Sequence, residues 1–559
     1  MVMEVETDAF TGLNDLVSLN FTHNNLWTVP PAAFCGLSSL LVLNLSTNYL
    51  QDVSDLGFAA SDLRGCRLPL ETLDLSENSL SQLAANAFGQ LSKLKTLRLD
   101  GNNLNVLEDR SFGGLLALQS LNLANNQIVA LPPDLFSDQS ESLRELYLQN
   151  NSLSVLAPGL FSPLKQLLVL NLSRNELGNE WLTQNTFSSL SRLVALDLSY
   201  NRVSKVDKSL MDGLTSLQIL SLKSNMIHTV EPNAFLDQSN LHILLLSHNL
   251  IESLQPKSFS HLSSLNSLSL DHNRLSTLHR HLLKNCSSLQ DLALNNNYFK
   301  IVPKAIKALT LLRTLDMGEN AVTSVKNGSF EGLNNLYGLR MSGNGMSEIE
   351  SSVFENIPSL QVLNLAHNEL SKLDQSTFNS LLDLRMLRLD NNRLEDINGL
   401  LTAQTELRWL NISANKLQWF DYAFIPKNLK WLDIHENEIE ELGNYYALKG
   451  GFNLQTLDAS RNRISKLVPL SLPTSLEFVF LNENAIKTIE PNTFIEKPLL
   501  SRVEIKGNNI EHLELSALAI AKASEGKFTS FVVFEQHNYS RPRSIISLWD
   551  RQTLLTLTK

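Results

Sequence analysis

Histidine is the side chain here best suited to chemistry near neutral pH, and His261, His272, His279 and His281 lie close together in the chain. His248 precedes His272 by one step of the repeat described below, so the two occupy equivalent positions. Imidazoles grouped this way could ligate a transition metal or sense pH. With no cysteine or carboxylate partner at a ligand spacing, they are read as solvated, a pH-sensing role ranks ahead of a metal, and no metal or cofactor is predicted. G-x-S-x-G, G-x-x-x-x-G-K-[ST] and H-E-x-x-H are all absent, so the sequence predicts a protein that is not an enzyme.

A second group suits recognition better. Trp409, Trp431, Phe478 and Phe480 are flanked by Arg408, Lys430, Asp433 and Asp458. Exposed aromatics with charged neighbours are the usual material of protein-binding hot spots. Trp409 and Trp431 could equally stack on one another as a structural ladder, and both readings stand at this point.

These positions share a face only through the element that carries them. The pattern Leu-x-x-Leu-x-Leu-x-x-Asn-x-Leu recurs twenty-one times between Asn24 and Asn508, at a mean step of about 24 residues, inside the leucine-rich-repeat range. Alternation around each Leu-x-Leu predicts one short strand per repeat. No repeat can bury its own leucines, so its neighbours cover them, at roughly 1.5–3 kcal/mol per large side chain. The Asn is expected to satisfy inward-facing backbone groups, and a Phe ten residues later, as at Phe112, Phe136 and Phe354, to form a second spine on the outer side. The predicted fold is α/β: a leucine-rich-repeat solenoid, or horseshoe, of about 21 repeats. It has a concave parallel sheet and an irregular or short-helical convex side. Residues 1–15 are read as a partial N-terminal repeat, 16–518 as the array, and 519–559 as an irregular tail outside it.

Composition narrows the partners. The 559 residues carry a net charge of -11, which argues against a phosphate backbone or an anionic membrane. The opening MVMEVETDAF has no apolar leader and no run of about 18 apolar residues occurs, so the chain as written is read as neither targeted nor anchored. The tail after Ile520 neither continues the array nor resembles a cysteine-bearing cap, so a chain broken at both ends is expected. The longest step, between Asn48 and Asn78, holds an insertion around Gly57 to Arg67 that includes Cys66. A Cys35–Cys66 bond is feasible, with two buried thiols the competing reading; Cys286 is read as a small core side chain. Asn-x-Ser/Thr sequons occur at Asn20, Asn44, Asn150, Asn171, Asn285, Asn327, Asn411 and Asn538, about as often as chance supplies. Asn20, Asn44, Asn171 and Asn411 fall on the predicted concave face.

Three stretches are more specific than the generic repeat: Phe34 to Cys66, Trp419 to Leu448 (WFDYAFIPKNLKWLDIHENEIEELGNYYAL) and Leu481 to Ile510 (LNENAIKTIEPNTFIEKPLLSRVEIKGNNI). Together they resemble the ectodomain of arthropod Toll-type receptors of the long-ectodomain group, over about residues 8 to 518. The resemblance implies a glycosylated cell-surface horseshoe in a single-pass receptor of innate immunity or development. Its implied partner is an extracellular protein, either a cystine-knot cytokine of the Spätzle kind or another cell-surface receptor, with a possible receptor dimer. It also implies the Cys35–Cys66 bridge. The signal peptide, cysteine-rich caps, membrane span and TIR domain of that pattern are not found here. A secreted or matrix leucine-rich adhesion protein is the alternative, and an intracellular scaffold of the ribonuclease-inhibitor sort is disfavoured by repeat length.

Overall fold

The computed structural model describes residues 1–30, 33–56, 58–59, 68–443, 451–495, 497–510 and 531–533. The chain divides into two compact units, Met1–Leu407 and Arg408–Lys559. The array expected over 16–518 thus runs through two units, each with its own parallel ladder.

In the first unit sixteen three-residue strands follow one another from Ser18–Asn20 to Met386–Arg388. They pair in parallel and in register, so that Leu196, Leu220, Leu244, Leu268 and Leu292 form one continuous column. Only the central residue of each strand points inward. Ala195–Asp197 shows the consequence: Leu196 is buried between two half-exposed neighbours. The second motif leucine, Leu198, lies just past the strand and is fully buried as well.

The motif Asn performs the expected task. Asn225 Nδ2 donates to the carbonyls of Leu222 (3.1 Å) and, one repeat back, of Leu198 (2.9 Å), while Oδ1 accepts from Val203 N (3.0 Å). Each Asn therefore ties its own turn to the preceding one. Leaving such buried groups unpaired would cost about 1–3 kcal/mol apiece.

The residue before every motif Asn has a left-handed backbone, from His23 (φ 57°) to Glu483 (φ 54°), with Gly101, Gly343 and Gly507 as the glycines in the series. The reason is local. The residue must turn the chain so that the next amide points inward, while its own N–H stays in the ladder, as His248 N does by donating to Asp271 O at 3.0 Å. Side chains at this position consequently stand in a second column beside the strands.

The outer side is built from turns, short 3-10 turns and two single helical turns, Gln184–Phe187 and Lys208–Met211. The Phe spine is present: Phe112, Phe136, Phe161 and Phe187 stack at 6.3–6.5 Å, and Phe330, Phe354 and Phe378 at 5.8–6.3 Å. Phe187 joins although its offset from the motif Asn is longer. Beside the spine, Gln139, Gln238 and Gln404 each donate to a carbonyl of the preceding repeat. Cys286 takes the same place, its Sγ 3.8 Å from Phe259 O. Burial pushes its thiol up to about 12, in keeping with a small core side chain.

In the second unit the ladder runs Trp409–Asn411, Trp431–Asp433, Thr456–Asp458, Phe478–Phe480 and Arg502–Glu504. Phe531–Val533 then pairs in parallel with Arg502–Glu504. This strand comes from the segment read as outside the array; its third residue is followed four positions later by His537 instead of an Asn, which is why the motif does not reveal it. Repeats are shorter here, and their outer side closes over Tyr422. Its hydroxyl donates to Ser471 O at 2.8 Å, and burial pushes the phenol well above its ordinary range.

Candidate interaction face

Two columns of side chains stand on the ladder of the second unit. Register places Trp409, Trp431, Thr456, Phe478 and Arg502 in the first, and Asn411, Asp433, Asp458, Phe480 and Glu504 in the second. Because Leu432 and Val479 occupy the inward position, the residues on either side of each project together from one face. Trp409 and Trp431 stack with ring centroids 4.4 Å apart and planes 2° from parallel, both half-buried. Phe478 is 39 % exposed, and the Arg502 guanidinium lies 5.9 Å from the centre of the Phe480 ring. Arg408 and Lys430 precede their strands, with Lys430 exposed at the margin of the face. All eight residues singled out in the sequence are thus on or beside this one ladder.

Asp433 and Asp458 face each other across adjacent strands, and like charges so placed repel. Two ladder acids of the first unit have basic neighbours: Asp74 has Arg98 at 3.4 Å, and Asp316 has Arg340 at 3.1 Å. At Asp433 the neighbour is His435, whose Nδ1 is 2.6 Å from Asp433 Oδ1. This hydrogen bond raises the imidazole above its ordinary value against the opposing effect of burial, with the charges of Asp433, Asp458 and Glu436 adding to the rise. Burial, with repulsion from Asp433, pushes the Asp458 carboxyl up. Sequence reasoning missed His435, although it follows the motif strand by two residues, as Ser413 and Ser460 do.

Comparison with known proteins fits this geometry. The "Leucine rich repeat" family pattern matches residues 3–50, 68–299 and 310–417, and a second pattern, "Leucine Rich Repeat", matches 453–474. The chain belongs to the leucine-rich-repeat family. It is similar to Toll-like receptor 7 of Drosophila melanogaster, 56% identical over 220 residues, which are 39% of this chain and 15% of that protein. The chain thus matches about a seventh of that receptor's length. A solved plant peptide hormone receptor, RGFR1 in complex with RGF2, superposes with a TM-score of 0.56 at 26% identity, covering 88% of this chain and 74% of that one. The TLR13–ssRNA13 complex superposes with a TM-score of 0.50 at 22% identity, covering 92% and 88%, and shares the fold. These findings bear out the resemblance to a Toll-type ectodomain.

Within the leucine-rich-repeat frame the ladder sequons acquire a structural origin. Asn20, Asn44, Asn171 and Asn411 are third strand residues, and the Oδ1 of each accepts the N–H two residues on, from Thr22, Ser46, Ser173 and Ser413 at 2.8–3.0 Å. Asp74, Asp197 and Asp458 make the same bond. At these positions the turn selects Asn or Asp with a Ser or Thr two residues on, and so writes a sequon by itself wherever Asn is used. Asn20 is exposed and Asn44 and Asn171 are half-buried, whereas Asn411 is buried, which corrects the expectation that it lies open on the face. Asn150 is exposed in the left-handed column, its Nδ2 donating to Asn125 Oδ1 at 2.8 Å. Asn285 and Asn327 are exposed on outer segments. Cys35 is half-buried; its expected partner Cys66, like Asn538, lies outside the described residues.

The histidines separate into two groups. His248 and His272 stack in the left-handed column at 4.0 Å, and a carboxylate does accompany them: His272 Nδ1 is 2.9 Å from Asp271 Oδ2. His279 and His281 lie 5.5 Å apart, next to Arg280 and without such a partner among the described groups. His261 lines a shallow polar depression with Ser260, Lys284 and Asn285.

Proposed function

We propose that this chain is the ligand-recognition region of a Toll-type receptor, and that it grips an extracellular protein through the ladder face of its second unit without performing catalysis. The observation that carries the reading is the in-register set Trp409, Trp431, Phe478 and Phe480, aromatic surface held on rigid strands. The Trp stack is itself part of this: two rings held parallel lose little freedom on binding, so a ladder and an anchor are the same object. Similarity to the Drosophila receptor supports the family of function, a cell-surface location and, in a complete receptor, transmembrane signalling by ligand-induced association.

A cystine-knot cytokine of the Spätzle kind is the first partner to test, and another cell-surface receptor the second. The Cys35–Cys66 bridge and glycosylation at Asn20 belong to the same extracellular reading. Surface plasmon resonance with Trp409→Ala/Trp431→Ala should show affinity for the bound partner reduced at least about 30-fold, equivalent to about 2 kcal/mol. Affinity within about twofold of the parent chain would refute the anchor. The secreted-matrix alternative is separated by the full transcript, which on the receptor reading encodes a membrane span and a TIR domain.

A further inference from the structure

The left-handed column repeats one position at every step of the ladder, so two histidines one step apart are forced into contact. His248 (φ 54°) and His272 (φ 52°) are such a pair, their rings 4.0 Å apart and 19° from parallel. Asp271, the neighbour of His272 in the chain, is fixed beside them: its carboxylate accepts from Ser269 Oγ and lies 2.9 Å from His272 Nδ1. One ligand atom from each of His248, Asp271 and His272 lies within 4.8 Å of the other two. A tetrahedral metal with bonds of 2.0–2.1 Å needs donors roughly 3.3 Å apart, a distance that rotation of half-exposed side chains can reach.

We propose that His248, His272 and Asp271 form a binding site for a divalent transition metal of the zinc class on the left-handed column of the first unit. Two imidazoles and a carboxylate select zinc, copper or nickel over calcium and magnesium, which prefer all-oxygen sets. Three protein donors leave a coordination position for water or for a side chain of a bound partner. His248 is held below its ordinary value by burial first and by the adjacent His272 second, with Lys223 acting in the same direction and Asp271 opposing. That shift favours the neutral ring, the form that ligates a metal. Other histidines of the column stand alone at this position, at His23 and His367, which is why the donor set occurs at this one step of the column.

The test is titration of the metal-free chain with Co2+ and Zn2+ near pH 7.5, followed by calorimetry and by the visible d–d bands of Co2+. His248→Asn and His272→Asn are the informative variants, since Asn tolerates the left-handed backbone and so preserves the fold. Each should remove one equivalent of Co2+ and its absorption, and Asp271→Asn should weaken that equivalent about 10- to 100-fold. Uptake should also weaken in acid, because protons compete with the metal for ligand atoms. His279→Ala/His281→Ala and His435→Gln should leave this equivalent untouched. An unchanged Co2+ spectrum in either His→Asn variant, loss of the equivalent in the His279/His281 or His435 controls, or no saturable uptake by the parent chain would overturn the site.

Discussion

A single imidazole decides the electrostatics of the aromatic face. His435 stands beside two carboxylates that the ladder register sets opposite each other, and its pKa is raised chiefly by the hydrogen bond to Asp433. A group whose folded pKa lies above its unfolded value of about 6.5 contributes stability that is complete below that value and is lost as pH rises through the folded one. Asp458, also raised, adds to the trend at lower pH, since its ionised form is the one the fold disfavours. The second unit should therefore become easier to unfold as pH rises above about 6.5, the unfolded value, read as exchange of its ladder amides. His435→Gln should flatten that slope. An equal slope in both chains would show that the imidazole is not coupled to folding. The motif Asn and the Leu column were readable from sequence because each answers one demand at a fixed spacing. His435 was not, because its significance lies in a side-chain hydrogen bond to Asp433, and the motif fixes register but not which way a side chain turns.

At the scale of the element, close backbone approach on the outer side sets limits that composition does not reveal. Gly213 (φ 78°) follows the helical turn Lys208–Met211 and lies against Ser188, which ends Gln184–Phe187; a Cβ there would stand 2.3 Å from Ser188 O. Gly328 (φ 73°) has a similar backbone but open space where a Cβ would go. Alanine at Gly328 should cost only the left-handed penalty of about 1–2 kcal/mol. Alanine at Gly213 should cost roughly 1–3 kcal/mol more through the clash. Urea denaturation measures both, and equal losses would mean that the Ser188 contact relaxes freely. Because repeats in this part of the first unit pack mainly on their neighbours, lost amide protection should stay within the adjoining turns. The same layout explains what the pattern hid. Phe187 reaches the spine from an irregular offset because a helical turn lengthens its segment, and the left-handed column escapes notice because Tyr200, Arg174 and Thr47 are not residues that advertise positive φ.

For the whole molecule, sequon placement divides the two ladders. Sequons at Asn20, Asn44 and Asn171 put acceptor amides on the ladder of the first unit, whereas the second unit offers only buried Asn411 among its described ladder positions. The aromatic face therefore carries no exposed sequon among its described ladder positions, and that difference can be reversed by one atom change. Asp458 is half-buried, sits in register between Asp433 and Phe480, and is followed by Ala459 and Ser460, so Asp458→Asn writes a new acceptor sequon in the middle of the face. The same turn bond to Ser460 N, now 3.0 Å, is one that Asn makes equally well at Asn411 and Asn171. Expressed with glycosylation, Asp458→Asn should lose partner binding outright, since a sugar chain at this point covers the Trp and Phe columns together. Enzymatic release by a peptide N-glycosidase hydrolyses the amide and leaves aspartate, regenerating the parent residue, and binding should return in full. Mass spectrometry confirms occupancy at each stage. A fully glycosylated variant that still binds at parental affinity would move the docking surface off this ladder, whatever the Trp substitutions show.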